Sequence, residues 1–340
     1  MPIRKSAPTQ SKRPTLADIA ARVGVSSITV SRAISSPQLV SEELRSRIDI
    51  AIAELGYIPN RAARALARAH SDSVAVLIPS LSNTVFTDVL AGVHDVLHAN
   101  GYRTLIGNTR YSPEEEENIF RAYLEHSPDG VLLASCDQTP MVQQLLQHTR
   151  IPVVHMMDLS DPQSCCVGLN QFDAGYAMAR HLLQRGYRRI GALGAQLDPR
   201  VLQRLDGYRT ALQEAGLAFP KGEILEAIPS SIGLGVGMLG RIVEQAPECD
   251  ALFCCNDDLA LGVLFEAQRR QIRVPEQLAV AGFNDLAASA WSSPSLTTIA
   301  TPRYDIGHAA ATMLLQKMRG ETPPESHIDL GFSLMAREST

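Results

Sequence analysis

The sequence predicts an α/β protein: a small N-terminal unit of three helices, followed by a two-lobed core of parallel sheets flanked by helices. Three observations carry this. Apolar residues recur at helical spacing between Thr15 and Leu55, whereas from Ser71 onward short apolar runs alternate strictly with amphipathic stretches. Charge also divides the chain: residues 1–70 hold eleven Lys/Arg against five Asp/Glu, and the remainder holds twenty against thirty-one. A length of 340 residues agrees with several cores of about 100–150 residues each. With 45% hydrophobic and 20% charged residues, collagen-like and low-complexity chains are excluded.

Residues 1–14 read as a disordered basic arm. The first helix starts at Thr15, an N-cap residue with Asp18 in the favourable first turn, continues through Leu16, Ile19, Ala20 and Val23, and breaks at Gly24. Ser26 caps a second helix that runs to Ser35, so two short helices are joined by a turn of helix-turn-helix length. At 100° per residue, Val30, Ala33 and Ile34 share one arc, and Ser27, Ile28, Ser31 and Arg32 share the opposite one. The second arc suits a DNA major groove: Arg pairs with guanine, Ser with phosphate or base, and Ile with a thymine methyl. A solvated face of a three-helix bundle has the same composition. A third helix extends from a Ser41 cap, with Glu42 and Glu43 in its first turn, through Leu44, Ile48, Ile52 and Leu55 to a Gly56 stop. Beyond Tyr57 lies a short Ala/Arg helix over 61–69, below the ~12–15 residues that an isolated helix needs in water. Asn60 can cap it, and Arg61, Arg64 and Arg68 can meet phosphates. A basic head on an acidic body is the charge distribution of a chain that meets a polyanion at one end.

The runs TLADIAARVGVSSITVSRAIS and LGYIPNRAARALA and the ending ARES strongly resemble the LacI/GalR family of bacterial transcription repressors, over essentially the whole chain after the arm. The resemblance implies a helix-turn-helix DNA-binding domain over 15–59, a hinge helix and linker over 60–71, and an effector-binding and dimerisation domain over 72–340. It implies base-reading roles for Ser27, Ile28 and Arg32, and makes Leu66 a wedge pushed into the minor groove, where an apolar side chain unstacks one base step and bends the duplex.

In the body, candidate strands are Val74 to Pro79, Arg103 to Gly107, Gly130 to Ala134, Pro152 to Met156, Val167 to Leu169, Ile190 to Gly194, Ile224 to Ala227, Ala251 to Cys254, Ala279 to Gly282 and Thr297 to Ala300. Helical patterns between them include Thr84 to His98, Pro113 to Glu125, Asp173 to Gln184, Arg204 to Glu214 and Ala260 to Gln271. Such alternation predicts parallel sheets covered by helices on both faces, and ten strands predict two sheets. The family resemblance adds three chain crossings between lobes, as in periplasmic sugar-binding proteins: lobe 1 about 72–170 and 302–328, lobe 2 about 171–301 and 329–340.

Ligands of such folds sit in a cleft at the carboxyl ends of the strands. The polar residues there are Ser80 and Asn83, Asp158, Asp198 to Arg204, Asn256 and Asp257, Asn284 and Asp285, and Thr301 to Arg303. Carboxylates, amides and guanidinium groups together suit a polyhydroxylated ligand, although any one of them also fits a helix cap or a loop turn. The family pattern promotes Asp257 in CNDDLALG to the carboxylate facing effector hydroxyls and Arg204 in RLDGY to the cleft arginine. Arg303 stands where sugar-binding relatives often carry an aromatic or apolar residue. With Arg200 nearby, it points to an anionic sugar derivative. Within that family the chain resembles gluconate-operon repressors, particularly across IPSLSNTVFTDVLAG, LDPRVLQRLDGY and FCCNDDLA. The expected effector is therefore gluconate or a keto or phosphorylated relative, with a neutral sugar or a purine as the alternative. The candidate effector-binding set is Ser80, Asn83, Phe86, Asp158, Arg200, Arg204, Asp257 and Arg303.

The remaining classes are weaker. No apolar run approaches the ~20 residues of a membrane span, and the polar, basic start lacks the apolar stretch of a signal peptide, so a cytoplasmic protein without a membrane partner is expected. That opposes a secreted sugar-binding protein. The six cysteines show no C-x2-C spacing, no metal site or cofactor is expected, and no Ser/His/Asp arrangement supports an enzyme. Gly235, Gly237 and Gly240 form a literal G-x-G-x-x-G, but a loop precedes them instead of a first strand, so they read as a helix start with small residues. Glu114 to Glu117, following Ser112 and Pro113, read as an acidic first helical turn. A chain ending at Thr340 without a further heptad segment favours a homodimer on double-stranded operator DNA over a zipper-linked tetramer.

Overall fold

The computed structural model describes residues 14–58, 70–134, 137–217 and 221–340. The chain divides into two units, Met1–Ala69 and His70–Thr340.

The first unit packs α1 (Leu16–Val23), α2 (Ser27–Ser35) and α3 (Glu42–Leu55) around Ile19, Val30 and Ile48, all fully buried. At the start of α1, the backbone N (2.8 Å) and Oγ1 (2.7 Å) of Thr15 donate to the Asp18 carboxylate. α1 ends where Gly24 adopts φ 78°, a left-handed conformation that glycine takes without steric cost, and donates to Ala20 O at 2.9 Å. Ser26 caps α2 by accepting from Thr29 N at 3.2 Å. Ser41 occupies the cap position of α3 but makes no side-chain capping bond, which leaves Glu42 and Glu43 to favour that terminus through the helix dipole.

The second unit holds two six-stranded sheets. The first contains β1 (Ser73–Ile78), β2 (Arg103–Asn108), β3 (Gly130–Leu133), β4 (Val153–Met156), β5 (Cys166–Gly168) and β11 (His327–Asp329), in the order β11-β5-β4-β3-β1-β2, all parallel. The second contains β6 (Ile190–Ala195), β7 (Glu223–Glu226), β8 (Ala251–Cys254), β9 (Ala279–Asn284), β10 (Thr297–Ala300) and β12 (Ser333–Met335), in the order β12-β10-β9-β8-β6-β7. Only β12 runs antiparallel to its neighbour among the described strands. The central strands are continuous apolar runs because helices cover both faces: every residue of β1, β3, β6, β8 and β9 is buried.

The covering helices are α4 (Thr84–Ala99), α5 (Pro113–Leu124), α6 (Pro140–His148), α7 (Gln171–Gln184), α8 (Pro199–Glu214), α9 (Ile232–Gln245), α10 (Asp257–Arg269) and α11 (Arg303–Met318). The chain leaves the first sheet after β5 and returns in α11, which packs on α4 and on β3, β4 and β5. It crosses once more between β11 and β12.

Ten strands were expected and twelve are present among the described residues. The additional β11 and β12 have three residues each, too few for periodicity to register. α8 starts at Pro199, five residues before the Arg204 start expected from periodicity, because Asp198 caps it and Pro199 fits the first helical position. That extra turn carries Arg200. Gly235 of the G-x-G-x-x-G lies inside α9, where a Cβ would meet the backbone of Leu259 in α10, so close helix packing accounts for it.

Candidate ligand cleft and DNA-reading helix

In the first unit, α2 turns Val30 and Ala33 into the core and leaves Ser27, Ile28, Ser31 and Arg32 exposed. Ile28 is 67% exposed. A large apolar side chain so open on a small domain, beside two hydroxyls and a guanidinium, is a surface with both methyl contact and hydrogen-bonding capacity, the pair of functions that major-groove readout uses. Asn60, Arg61, Arg64 and Leu66 lie outside the described residues.

The cleft of the second unit is organised by the start of α8. The Asp198 carboxylate accepts from Arg200 N and Val201 N, both at 3.1 Å, and pairs with Arg200 Nη2 at 2.8 Å. Burial pushes the Asp198 carboxyl up, but the Arg200 guanidinium, helped by Arg204 and the Val201 N–H, holds the group below its ordinary range. Arg200 then reaches the other lobe. Its Nη1 donates to Ala134 O at 3.2 Å, at the end of β3, and its guanidinium lies over the Phe86 ring of α4 at 5.7 Å.

One turn along α8, Arg204 is 6% exposed. Its Nε donates to Gln171 Oε1 (2.7 Å) and its Nη1 to Cys255 O (2.8 Å), while the guanidinium stacks on the Phe283 ring at 3.8 Å. Nη2 has no partner among the described residues. Burial pulls the Arg204 pKa down to about 10, which still leaves the side chain cationic at neutral pH. The tight approach of α7 fixes its place, since a Cβ at Gly175 would meet the Arg204 backbone.

Two adjoining chambers, both partly open to solvent, share Arg200 and Asp198 as walls. The first is cationic and amide-rich, with Asn83, Phe86, Arg204, Asn256 and Asn284 on its walls. The second is acidic, walled by Glu116, Asp137, Asp158 and Asp198 around Arg200. Tyr111 belongs to both, and its hydroxyl accepts from Asn83 Nδ2 at 3.1 Å. Tyr111, Met157, Gln196 and Asn284 follow or end strands and all have positive φ. Such backbone in non-glycine residues costs about 1–3 kcal/mol each and clusters where a site requires it.

Of the expected effector set, the structure brings Asn83, Phe86, Asp158, Arg200 and Arg204 onto these walls. Ser80 stands behind them, its Oγ accepting from Asn83 N at 3.1 Å and so shaping the turn that caps α4. Two placements differ from expectation. Asp257 is fully buried inside its lobe, where its carboxylate accepts from Leu286 N (2.7 Å), Ser289 Oγ (2.8 Å) and Thr298 Oγ1 (2.7 Å) instead of facing the cleft. Burial raises its pKa, and these three donors oppose the rise. Arg303 is not a wall residue of either chamber. Its Nε and Nη2 pair with Asp88 Oδ2 (2.9 and 2.8 Å), and its Nη1 and Nη2 donate to the carbonyls of Asn284 and Asp285, so it ties α11 and α4 to the end of β9. Its extra charge is neutralised on the spot. Residues missing from the expected set are Tyr111, Gln196 and Glu116. Tyr111 was legible as an aromatic just beyond β2, whereas nothing in the acidic run distinguished Glu116 from its neighbours.

Among the described residues, no helix is long and apolar enough to cross a membrane. Residues 15–60 match the family described as bacterial regulatory proteins, lacI family, and residues 179–340 match a periplasmic binding protein-like domain. The HTH-type transcriptional regulator GntR of Pseudomonas aeruginosa is 49% identical over 329 residues, covering 96% of each chain. The crystal structure of transcription regulator GntR from Chromobacterium violaceum is 55% identical with a TM-score of 0.76, covering 78% of this chain and 98% of its own. The lac repressor dimer bound to operator and the anti-inducer ONPF is 25% identical with a TM-score of 0.84, covering 96% and 99%. These relatives are regulators, not enzymes, and the first and the third match nearly the full length of the chain: the chain belongs to the LacI family of DNA-binding bacterial transcriptional repressors.

Proposed function

We propose that the protein binds a palindromic operator as a homodimer, reading each half-site with Ser27, Ile28, Ser31 and Arg32, and is released by a sugar acid, gluconate or a keto or phosphorylated relative, held between the lobes of the second unit. The carrying observation is Arg204, a buried cation with Nη2 unpartnered among the described residues, on the wall of an amide-rich chamber. A carboxylate there gains a charge-assisted hydrogen bond, while the hydroxylated chain extends toward the acidic chamber, whose carboxylates accept from hydroxyls. The GntR relatives support a gluconate-related role. The lac repressor, solved as a dimer on its operator, supports the assembly.

Release follows from linkage. Arg200 belongs to lobe 2 yet touches Ala134 and Phe86 of lobe 1, so a ligand that orders the walls around it favours one lobe spacing. If that spacing is unsuited to operator binding, ligand and operator weaken each other by one coupling free energy. Calorimetry with D-gluconate, and with glucose and a purine as controls, tests the ligand class. Binding of gluconate alone is expected, and preferential binding of a control overturns the reading. A band-shift titration tests the sign: gluconate is expected to release the operator, and a tightened complex reverses that assignment.

A further inference from the structure

Glu116 lies in the first turn of α5 and is 96% removed from solvent, at 4% relative exposure, on the wall of the acidic chamber. Its neighbours Glu114 and Glu117 have ordinary employment. Glu114 accepts from Ser112 Oγ at 2.8 Å, and Glu117 accepts from Thr139 Oγ1 at 2.7 Å. Glu116 differs: the Gln138 side chain donates to the group, but Oε1 has no hydrogen-bond partner among the described residues. A buried carboxyl oxygen without a partner costs stability and therefore marks a place where a further group is accommodated.

We infer that Glu116 is a ligand-contacting residue of the sugar-acid site, that it binds as the neutral carboxylic acid, and that its O–H donates a hydrogen bond to a ligand oxygen in the acidic chamber. The inference rests on the sugar-acid reading above. Burial, and after it the charge of Asp137, raises the tendency of Glu116 to hold its proton, and the chamber around it carries further charges. From the loop after β3 comes Asp137, from the end of β4 Asp158, and from the start of α8 Asp198 with Arg200. Arg200 is already paired with Asp198, and Tyr111, from the loop after β2, is an uncharged phenol whose pKa burial raises. An anionic ligand added to this set makes a further negative charge on Glu116 still less favourable. Burial and Asp137 already push the Glu116 pKa up to about 7 in the absence of ligand, so at neutral pH the acid and its anion are both populated. Binding selects the acid. One proton from solvent is taken up by each anionic Glu116, the O–H bond stays on Glu116 as it donates, and the ligand is otherwise unchanged.

When only the neutral form binds, the apparent Kd scales inversely with its population, so a pKa near 7 predicts about tenfold weaker binding at pH 8 than at pH 6. The test is calorimetry of D-gluconate with the full-length protein at pH 6, 7 and 8, in two buffers of different ionisation enthalpy, for the parent and Glu116→Gln. A glutamine keeps the donor and cannot ionise. The parent is expected to lose about tenfold in affinity and to take up protons near pH 7, and the variant to bind within about twofold across the range with no buffer dependence. Parent affinity that is flat with pH overturns the inference. So does a variant that keeps the parent's slope, which assigns the titration to another acid of the chamber. Absence of gluconate binding at every pH removes the sugar-acid reading itself and the inference with it.

Discussion

Replacing Arg204 with Met removes the guanidinium and keeps most of the buried volume, so the effects of its charge and hydrogen bonds can be read separately from a cavity. A ligand carboxylate loses one charge-assisted hydrogen bond, worth about 1.5–3 kcal/mol, or roughly 10- to 150-fold in Kd. Inside the protein, Gln171 Oε1 and Cys255 O lose donors at 2.7 and 2.8 Å. An orphaned buried acceptor costs about 1–3 kcal/mol. The variant also escapes the burial of a cation, the same effect that pulls the Arg204 pKa to about 10, and Met packs well on the Phe283 ring. The net loss of stability is therefore about 1–4 kcal/mol, less than the sum of its parts. Calorimetry with D-gluconate measures the first effect and urea unfolding the second. Operator affinity without ligand, measured by band shift, should stay close to the parent's. Arg204→Lys keeps the charge but cannot span Gln171 and Cys255 together, so it should fall between. A Met variant that binds gluconate within twofold of the parent refutes the placement of the ligand carboxylate at Arg204.

Four further outcomes are expected. Arg32→Ala should cost about 1–3 kcal/mol of operator affinity and relax base preference at one position per half-site, measured against a panel of single-base operator variants. Asp257→Ala strips one acceptor group from three buried donors and should destabilise the fold by about 2–4 kcal/mol in thermal unfolding, whereas a variant of parental stability that no longer binds ligand would make that carboxylate a ligand contact. Arg303→Met should cost about 1–2 kcal/mol of stability, because Asp88 is half exposed and the pair is screened, and should change gluconate affinity less than threefold. A loss as large as that of Arg204→Met would return Arg303 to the ligand. Glu116 carries a folded pKa of about 7, above the ordinary 4.5, so its contribution to stability is fully present below pH 4.5 and lost as pH rises through 7. Glu116→Gln should therefore gain about 2–3 kcal/mol on the parent at pH 8 relative to pH 5 in urea unfolding, and equal pH profiles would contradict the raised pKa.

What the sequence makes legible depends on whether a signal is local. The turn between α1 and α2, the caps at Thr15 and Ser26 and the outward face of Ser27, Ile28, Ser31 and Arg32 follow from spacing alone, because a short helix on a small core has only one apolar side to bury. Strand alternation likewise fixes the two-sheet class, although three-residue strands such as β11 carry too little pattern to be seen. The cleft is legible only by position. Reading polar residues after each strand finds Asn83, Asp158, Arg200 and Arg204, since strand ends converge there. It cannot tell which way a side chain is used. Asp257 and Arg303 sit at strand ends as well, but donors 29 to 41 residues away in sequence claim the carboxylate of Asp257, and Asp88, 215 residues away, claims Arg303. Conversely, four consecutive glutamates look alike as letters, and only the packing of α5 against β1, β2 and α6 buries one of them.

The central claim is that the cleft and the reading helix share one equilibrium. It is tested most directly by measuring the Kd of D-gluconate for the free protein and for the protein saturated with operator, beside the Kd of the operator with and without saturating gluconate. The account predicts that each ligand weakens the other by the same factor. A gluconate affinity unaffected by operator, or strengthened by it, would contradict the account.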